Sequence, residues 1–116
     1  MPAGVELDEL VQMWVLGYER IEKPLELDGQ KLSHMWVKDG KPIGLGQRDY
    51  STGLSAAWVV FDALALINVV TKNDAGYGCG HMGEKGFAEK GRAQTVPLAI
   101  CRAAMMVALD RDGTAR

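Results

Sequence analysis

The sequence predicts an α/β (α+β) fold in which three helices pack on a single, largely antiparallel sheet. Three observations carry that expectation. Residues 50–64 and 95–109 read as helices with their start signals intact; residues 5–15 repeat apolar side chains at helical spacing; and the runs between them are short, β-prone and separated by Asp-Gly or glycine-rich turns. Strand runs set between apolar-faced helices favour one sheet with the helices laid on it. At 116 residues the chain has the usual size of one domain, so residues 1–116 are expected to form a single unit with residues 110–116 as a polar, flexible tail.

The first element is a helix over residues 5–15. Leu7, Leu10, Val11 and Trp14 share one helical face, Glu6, Asp8 and Glu9 complement the open N–H groups of the first turn, and Gly17 supplies a left-handed stop. Tyr18 to Ile21 then reads as a strand. Residues 23–31, with Pro24 and Asp28-Gly29, read as a loop or turn between strands. Residues 34–37 and 42–45 flank Lys38-Asp39-Gly40-Lys41, a hairpin signal because glycine supplies the positive φ of a tight turn; Pro42, lacking an N–H, pushes the second arm to a sheet edge.

Helix two follows, with Leu54, Ala57, Trp58, Phe61 and Ala65 on its apolar face and Ser51 or Thr52 as its cap. Trp58 and Phe61 are expected to anchor it in the core, so that Trp58→Ala would cost about 3–5 kcal/mol. Residues 66–71 form a strand, residues 72–76 a turn, and the glycine-rich residues 76–91 a loose, exposed hairpin, since each glycine lacks a side chain to pack. Thr95 caps the last helix, Pro97 sits harmlessly in its first turn, and residues 98–109 are apolar nearly all round, which requires burial.

Composition excludes several classes. With 47% hydrophobic and 24% charged residues the chain is neither disordered nor fibrous, and its net charge of −2 with scattered Lys and Arg argues against nucleic-acid binding. No stretch of about 18 apolar residues is present to cross a membrane. The two cysteines, Cys79 and Cys101, lie in unrelated settings and suggest a reducing, cytoplasmic location rather than a disulfide.

Two segments carry a resemblance. Trp36-Val37-Lys38-Asp39-Gly40-Lys41-Pro42, leading into Tyr50-Ser51-Thr52 and Ala56-Ala57-Trp58, resembles the middle of the phage ABA sandwich domain family, and Thr95-Val96-Pro97-Leu98-Ala99-Ile100-Cys101-Arg102-Ala103-Ala104 resembles its last helix. The Gly17-Tyr18 step fits the family's opening. The resemblance implies an αβα sandwich-like fold and a small phage or prophage protein, and it brings no catalytic residues. Gly53 and Gln94 stand where relatives often have acidic residues, and residues 76–91 are unlike the family.

No chemistry-bearing constellation stands out. Cys79 and His81 share a strand face and His34 is a third candidate ligand, but two clustered ligands are too few for a metal, so none is expected, nor any other cofactor. Residues 76–85 contain glycines and Lys85 yet fit no phosphate-loop pattern. Ser51 is better read as a cap and Cys101 as a buried helical residue than as nucleophiles. Trp14, Trp36 and Trp58 suit a core. The expected function is that of a non-catalytic phage accessory protein that binds a bacterial host protein in the cytoplasm of the infected cell, as an inhibitor of antiphage defence; the alternative is a binder that sequesters a small nucleotide signal. Tyr77, Gly78, Cys79, Gly80, His81 and Lys85 are the candidate contact residues, and a homo-oligomer is compatible with either reading.

Overall fold

The structure, a computed structural model, describes residues 2–22, 25–27, 29–32, 35–42, 48–64 and 67–112. Pro24, Asp28, His34, residues 43–45, Ala65, Leu66 and residues 113–116 therefore lie outside the described residues, and with them parts of the expected turn, hairpin, helix, strand and tail.

Helix α1 (Val5–Leu10) continues as a π-helical turn, Val11–Val15, in which Leu16 N–H donates to the Val11 carbonyl at 3.1 Å, five residues back. Gly17, at φ +78°, ends it as expected. The buried face differs from the expected one. Leu7, Val11 and Val15 enter the core at successive four-residue steps, whereas Trp14 is 44% exposed. Strands β1 (Glu19–Ile21), β2 (Leu25–Leu27), β3 (Gln30–Leu32), β4 (Met35–Lys38) and β5 (Lys41–Pro42) follow. At the β4–β5 turn Asp39 and Gly40 both take positive φ, 54° and 78°, the pair of values a tight hairpin turn requires.

Helix α2 (Leu54–Ala63) buries Ala56, Ala57, Val60 and Leu64. This stripe lies one residue, or about 100° of helix, from the expected one. Trp58 is 39% exposed and stacks edge-on against Phe61 at 4.9 Å, so it is no core anchor. The reason lies in the partner: α2 meets the small residues of the last helix, and alanines bring two helices closer than an intervening indole permits. Ser51 and Thr52 do not cap α2 either, since Gly53 holds the cap position without a side-chain bond.

Strand β6 (Val69–Asn73) starts later than expected and takes in Lys72 and Asn73, leaving Asp74-Ala75 as the turn, where Ala75 N–H donates to Asn73 Oδ1 at 2.8 Å. The glycine-rich stretch is a hairpin, as expected, but not a loose one. It forms β7 (Gly76–Gly83) and β8 (Gly86–Ala93), each eight residues long, and β7 is the central strand of the β6–β7–β8 sheet. Helix α3 (Val96–Asp112) opens with Ala99 N–H donating to the Thr95 carbonyl at 3.0 Å and extends through Asp112, beyond the expected start of the tail.

All strand pairs are antiparallel, as expected, but among the described residues they form three sheets rather than one: β1–β4–β5, β2–β3 and β6–β7–β8. Pro42, which has no N–H to offer a further ladder, closes the first. One side of α3 packs on β7 and β8 and the other on α2 and the π-helical turn, so α3 is the middle layer of a helix and sheet stack. The core gathers Ala99, Ile100, Cys101, Ala103, Ala104 and Val107 of this helix with Cys79 from β7 and the buried stripes of α1 and α2.

Candidate functional site

Two kinds of close approach let glycine-rich strands support α3. A Cβ added at Gly91 would sit against the Ala103 backbone nitrogen and 2.9 Å from the Ala99 carbonyl oxygen, so hydrogen at this position is what lets the helix backbone lie on the strand. Between Cys79 and Gly80 the β7–β8 register shifts, leaving Lys90 as the extra residue of a β-bulge, and a Cβ at Gly80 would collide with the Ala88 carbonyl. The signal was present in the sequence, because glycine inside a strand often marks a bulge or a close backbone approach.

In this strand the six candidate contact residues do not converge. Successive side chains of β7 point to opposite faces, which puts Tyr77, Cys79 and His81 on one side and Gly78 and Gly80 on the other, while Lys85 lies in the exposed β7–β8 turn. Cys79 is wholly buried beneath α3, and burial pushes its thiol up to about 11. Cys101 is equally buried and is pushed up to about 12, first by burial and then by the nearby Asp8 carboxylate and Cys79. Both are packing residues in the thiol form. Among the described residues no three His, Cys, Asp or Glu side chains gather as a metal would need, and no helix is long and apolar enough to cross a membrane.

Tyr50 and Ser51 act on the N-terminal helix instead of on α2. Ser51 Oγ accepts from Gly4 N–H at 2.9 Å, Asp8 Oδ1 accepts from Ser51 N–H at 2.7 Å, and the Tyr50 hydroxyl donates to Gln12 Oε1 at 2.8 Å. Asp8, Gln12, Tyr50 and Ser51 are all buried. Burial chiefly, then the nearby Tyr18 and Asp8, pushes the Tyr50 phenol up to about 12 against the opposing pull of Arg48. On the solvent side, Arg20 joins β1 to α1 through Glu9 at 2.7 Å and also pairs with Glu22 at 2.7 Å.

The helix held in this way forms one wall of a groove of about 570 Å³. Leu7, Leu10 and Trp14 line that wall. Met105, Met106 and Leu109 of α3 line the facing one. Met106 is 48% exposed and Leu109 46%, so among the described residues this stripe of the apolar α3 is left in water. At the β8 side Gly91 forms part of the lining together with Lys90, Arg92 and Arg102. Arg102 Nη1 donates to the Arg92 carbonyl at 2.8 Å. The Arg92 guanidinium reaches away from α3, donating to Asn73 at 2.9 Å and Glu89 at 2.6 Å. Lys90 has no ion-pair partner among the described residues. The groove is therefore apolar along its length, with a basic end.

Sequence reasoning missed this site because it assigned Leu10 and Trp14 to the core. Its trace was the surplus of apolar positions on helices one and three, more than one sheet-facing stripe can bury.

Comparison with known proteins agrees with this architecture. The family model of the phage ABA sandwich domain matches residues 9–105, a span that includes the glycine-rich residues 76–91, which were expected to depart from it. A phage protein from Bacillus cereus ATCC 14579, with a 2.0 Å crystal structure, superposes with a TM-score of 0.61 at 24% identity, over 95% of this chain and 94% of that one. At that identity the likeness speaks to the fold. Among proteins with curated descriptions, none matches.

Proposed function

The chain belongs to the phage ABA sandwich domain family, and from that footing we propose that it is a non-catalytic phage accessory protein that binds a bacterial host protein through the groove between its first and last helices. The observation that carries the reading is the groove itself: Trp14, Met106 and Leu109 expose large apolar surface together, and grouped apolar exposure of this kind marks a binding surface rather than scattered surface residues. A binding role also fits the state of the reactive side chains. The two thiols are buried and protonated and the Ser51 hydroxyl is engaged by Gly4, so each has a structural use. The narrower proposal is that the host partner belongs to an antiphage defence system, which a binding-only protein inhibits by occlusion.

The test is co-purification from the bacterial host of the phage with the wild-type chain and with Leu109→Glu, a substitution at a half-exposed position that places a charge in the groove. A host protein retained by the wild type and lost with the variant is the expected result. Identical retention by the two, or none by either, overturns the reading.

A further inference from the structure

We infer that the groove receives a single amphipathic helix of a protein partner, with acidic side chains flanking its apolar face. This rests on the host-binding reading above and adds the chemistry of the partner. Shape comes first. The α3 wall runs from Arg102 through Met105 and Met106 to Leu109, positions spaced i, i+3, i+4 and i+7, which is two helical turns and about 10 Å of wall. The opposite wall is likewise helical, with Leu7, Leu10 and Trp14 at i, i+3 and i+7. Two facing helical walls of this length suit a third helix presenting three apolar anchors, the helix-in-groove mode of recognition, and the paired methionines give the adaptable surface common in such grooves.

Openness separates this occupant from a small molecule. A ligand of drug size has most of its surface enclosed in its site, about 70–90%. Here Trp14, Met106 and Leu109 remain 44%, 48% and 46% exposed, so the groove is a trough that covers one side of whatever lies in it. An amphipathic helix has an apolar side to bury and a polar side to leave in water.

Charge fixes the sign of that polar side. Acidic residues outnumber basic ones in the chain, 15 to 13, yet among the described residues every charged residue lining the groove is basic, and with the Arg92 guanidinium turned to Glu89 on the other face, Lys90 and Arg102 carry that charge. Arg102 lies one turn before Met106 on the same wall, so an acidic residue about one turn from the partner's apolar anchors falls beside it. Lys90, the extra residue of the β-bulge, supplies a second cation at the groove.

The experiment uses the full chain and a fluorescein-labelled helical peptide of about 15 residues, built from leucine, alanine and glutamate with leucines at i, i+3, i+4 and i+7. Its controls are the same peptide with lysine in place of glutamate, a scrambled acidic peptide, and sodium dodecanoate as an apolar anion without a helix. Fluorescence polarisation at low and high salt is the readout, with circular dichroism confirming that each variant is folded and light scattering reporting the mass of the chain alone. The acidic helix is expected to saturate, to weaken at least about fivefold in high salt and with Lys90→Glu, and to be lost with Leu109→Glu. Equal binding of the lysine or scrambled peptide overturns the inference. So does dodecanoate binding without the acidic helix, or a dimer that Leu109→Glu dissolves, which would make a second copy the occupant. If these arms fail while a host protein is still captured through the groove, the acidic-helix assignment falls and the host-binding reading stands. If the acidic helix binds but no host protein depends on the groove, the converse holds.

Discussion

Replacing Gly91 by alanine adds one methyl group to β8 at the point where α3 lies closest to the sheet. That methyl would meet backbone on every side: the Ala103 nitrogen, the Ala103 Cα at 2.9 Å and the Ala99 carbonyl oxygen at 2.9 Å. None of these can rotate away. Non-bonded atoms rest at about 3.5–4.0 Å, so α3 must retreat by roughly 1 Å along a seam otherwise closed by small residues. Overpacking of this kind costs about 1–3 kcal/mol, and the entropy that alanine removes from the unfolded chain returns about 0.4–1 kcal/mol. A net loss of about 1–2 kcal/mol lowers the melting temperature by roughly 4–8 °C for a domain of this size. Gly83→Ala is the matched control. It makes the same chemical change on the same sheet, without a positive φ, but its methyl meets only the His81 imidazole, at 3.1 Å, a side chain free to turn. Circular dichroism melts of the two variants should therefore separate, with Gly83→Ala within about 2 °C of wild type. A Gly91→Ala protein that melts with or above Gly83→Ala would refute the close packing of α3 on β8.

Three further outcomes follow from the same contacts. Trp58→Ala should cost about 1–2 kcal/mol rather than the 3–5 kcal/mol of a core indole, because the side chain is 39% exposed and loses chiefly its edge-on contact with Phe61; urea unfolding measures it. Ser51→Ala removes the acceptor of Gly4 N–H, and should cost about 1 kcal/mol while raising amide exchange in the first turn of α1 more than elsewhere. Stability should fall in alkali. Tyr50, Cys79 and Cys101 all have raised folded values, about 12, 11 and 12 against 10.0, 9.0 and 9.0, so below pH 9 both states hold these protons and the contribution is intact. Between about pH 9 and 12 the unfolded chain releases them first, and stability declines by about 1.4 kcal/mol per pH unit for each group in its window. Denaturant midpoints followed across that range should decline less steeply in Cys79→Ala than in the wild type.

How far the sequence could be read depended on whether the informative contact was local. The Asp39-Gly40 turn, the Gly17 stop and the Thr95-Val96-Pro97 helix start are decided by φ preferences and by first-turn geometry within a few residues, and the structure has all three. The faces of α1 and α2 are decided elsewhere. Size argued for Trp58 inside α2, but the alanines on both sides of the α2–α3 seam set a spacing that excludes it, and the stripe turns by one residue. The glycine-rich strands show the same limit. Intrinsic preference is against a strand at Gly76, Gly78 and Gly80, and it is overridden because pairing on both sides of β7 and contact with α3 stabilise an extended backbone that local sequence alone does not favour. The candidate contacts on β7 are divided by the strand's alternation: Tyr77 and His81 share one face with the buried Cys79, and Gly78 and Gly80 lie on the other.

The Tyr50-Ser51 pair ties these two lessons to the groove. Gly4, Asp8 and Gln12 stand four residues apart, and each is bonded to Tyr50 or Ser51, so the segment before α2 grips one stripe of the N-terminal helix over its whole length. Gripping a stripe fixes rotation as well as position. With Asp8 and Gln12 turned inward, Leu7, Val11 and Val15 fall on the core, and Leu10 and Trp14 are carried round to the side that faces Met106 and Leu109. Buried polar bonds of this sort add little net stability, about 1 kcal/mol each, but a helix rotated away from them would leave a carboxylate and an amide buried without partners, at several times that cost. Specificity of rotation is what they supply. An apolar helix face could settle on the core in more than one way; the polar stripe selects the one that leaves two large apolar side chains outside, and that selection is what makes the groove.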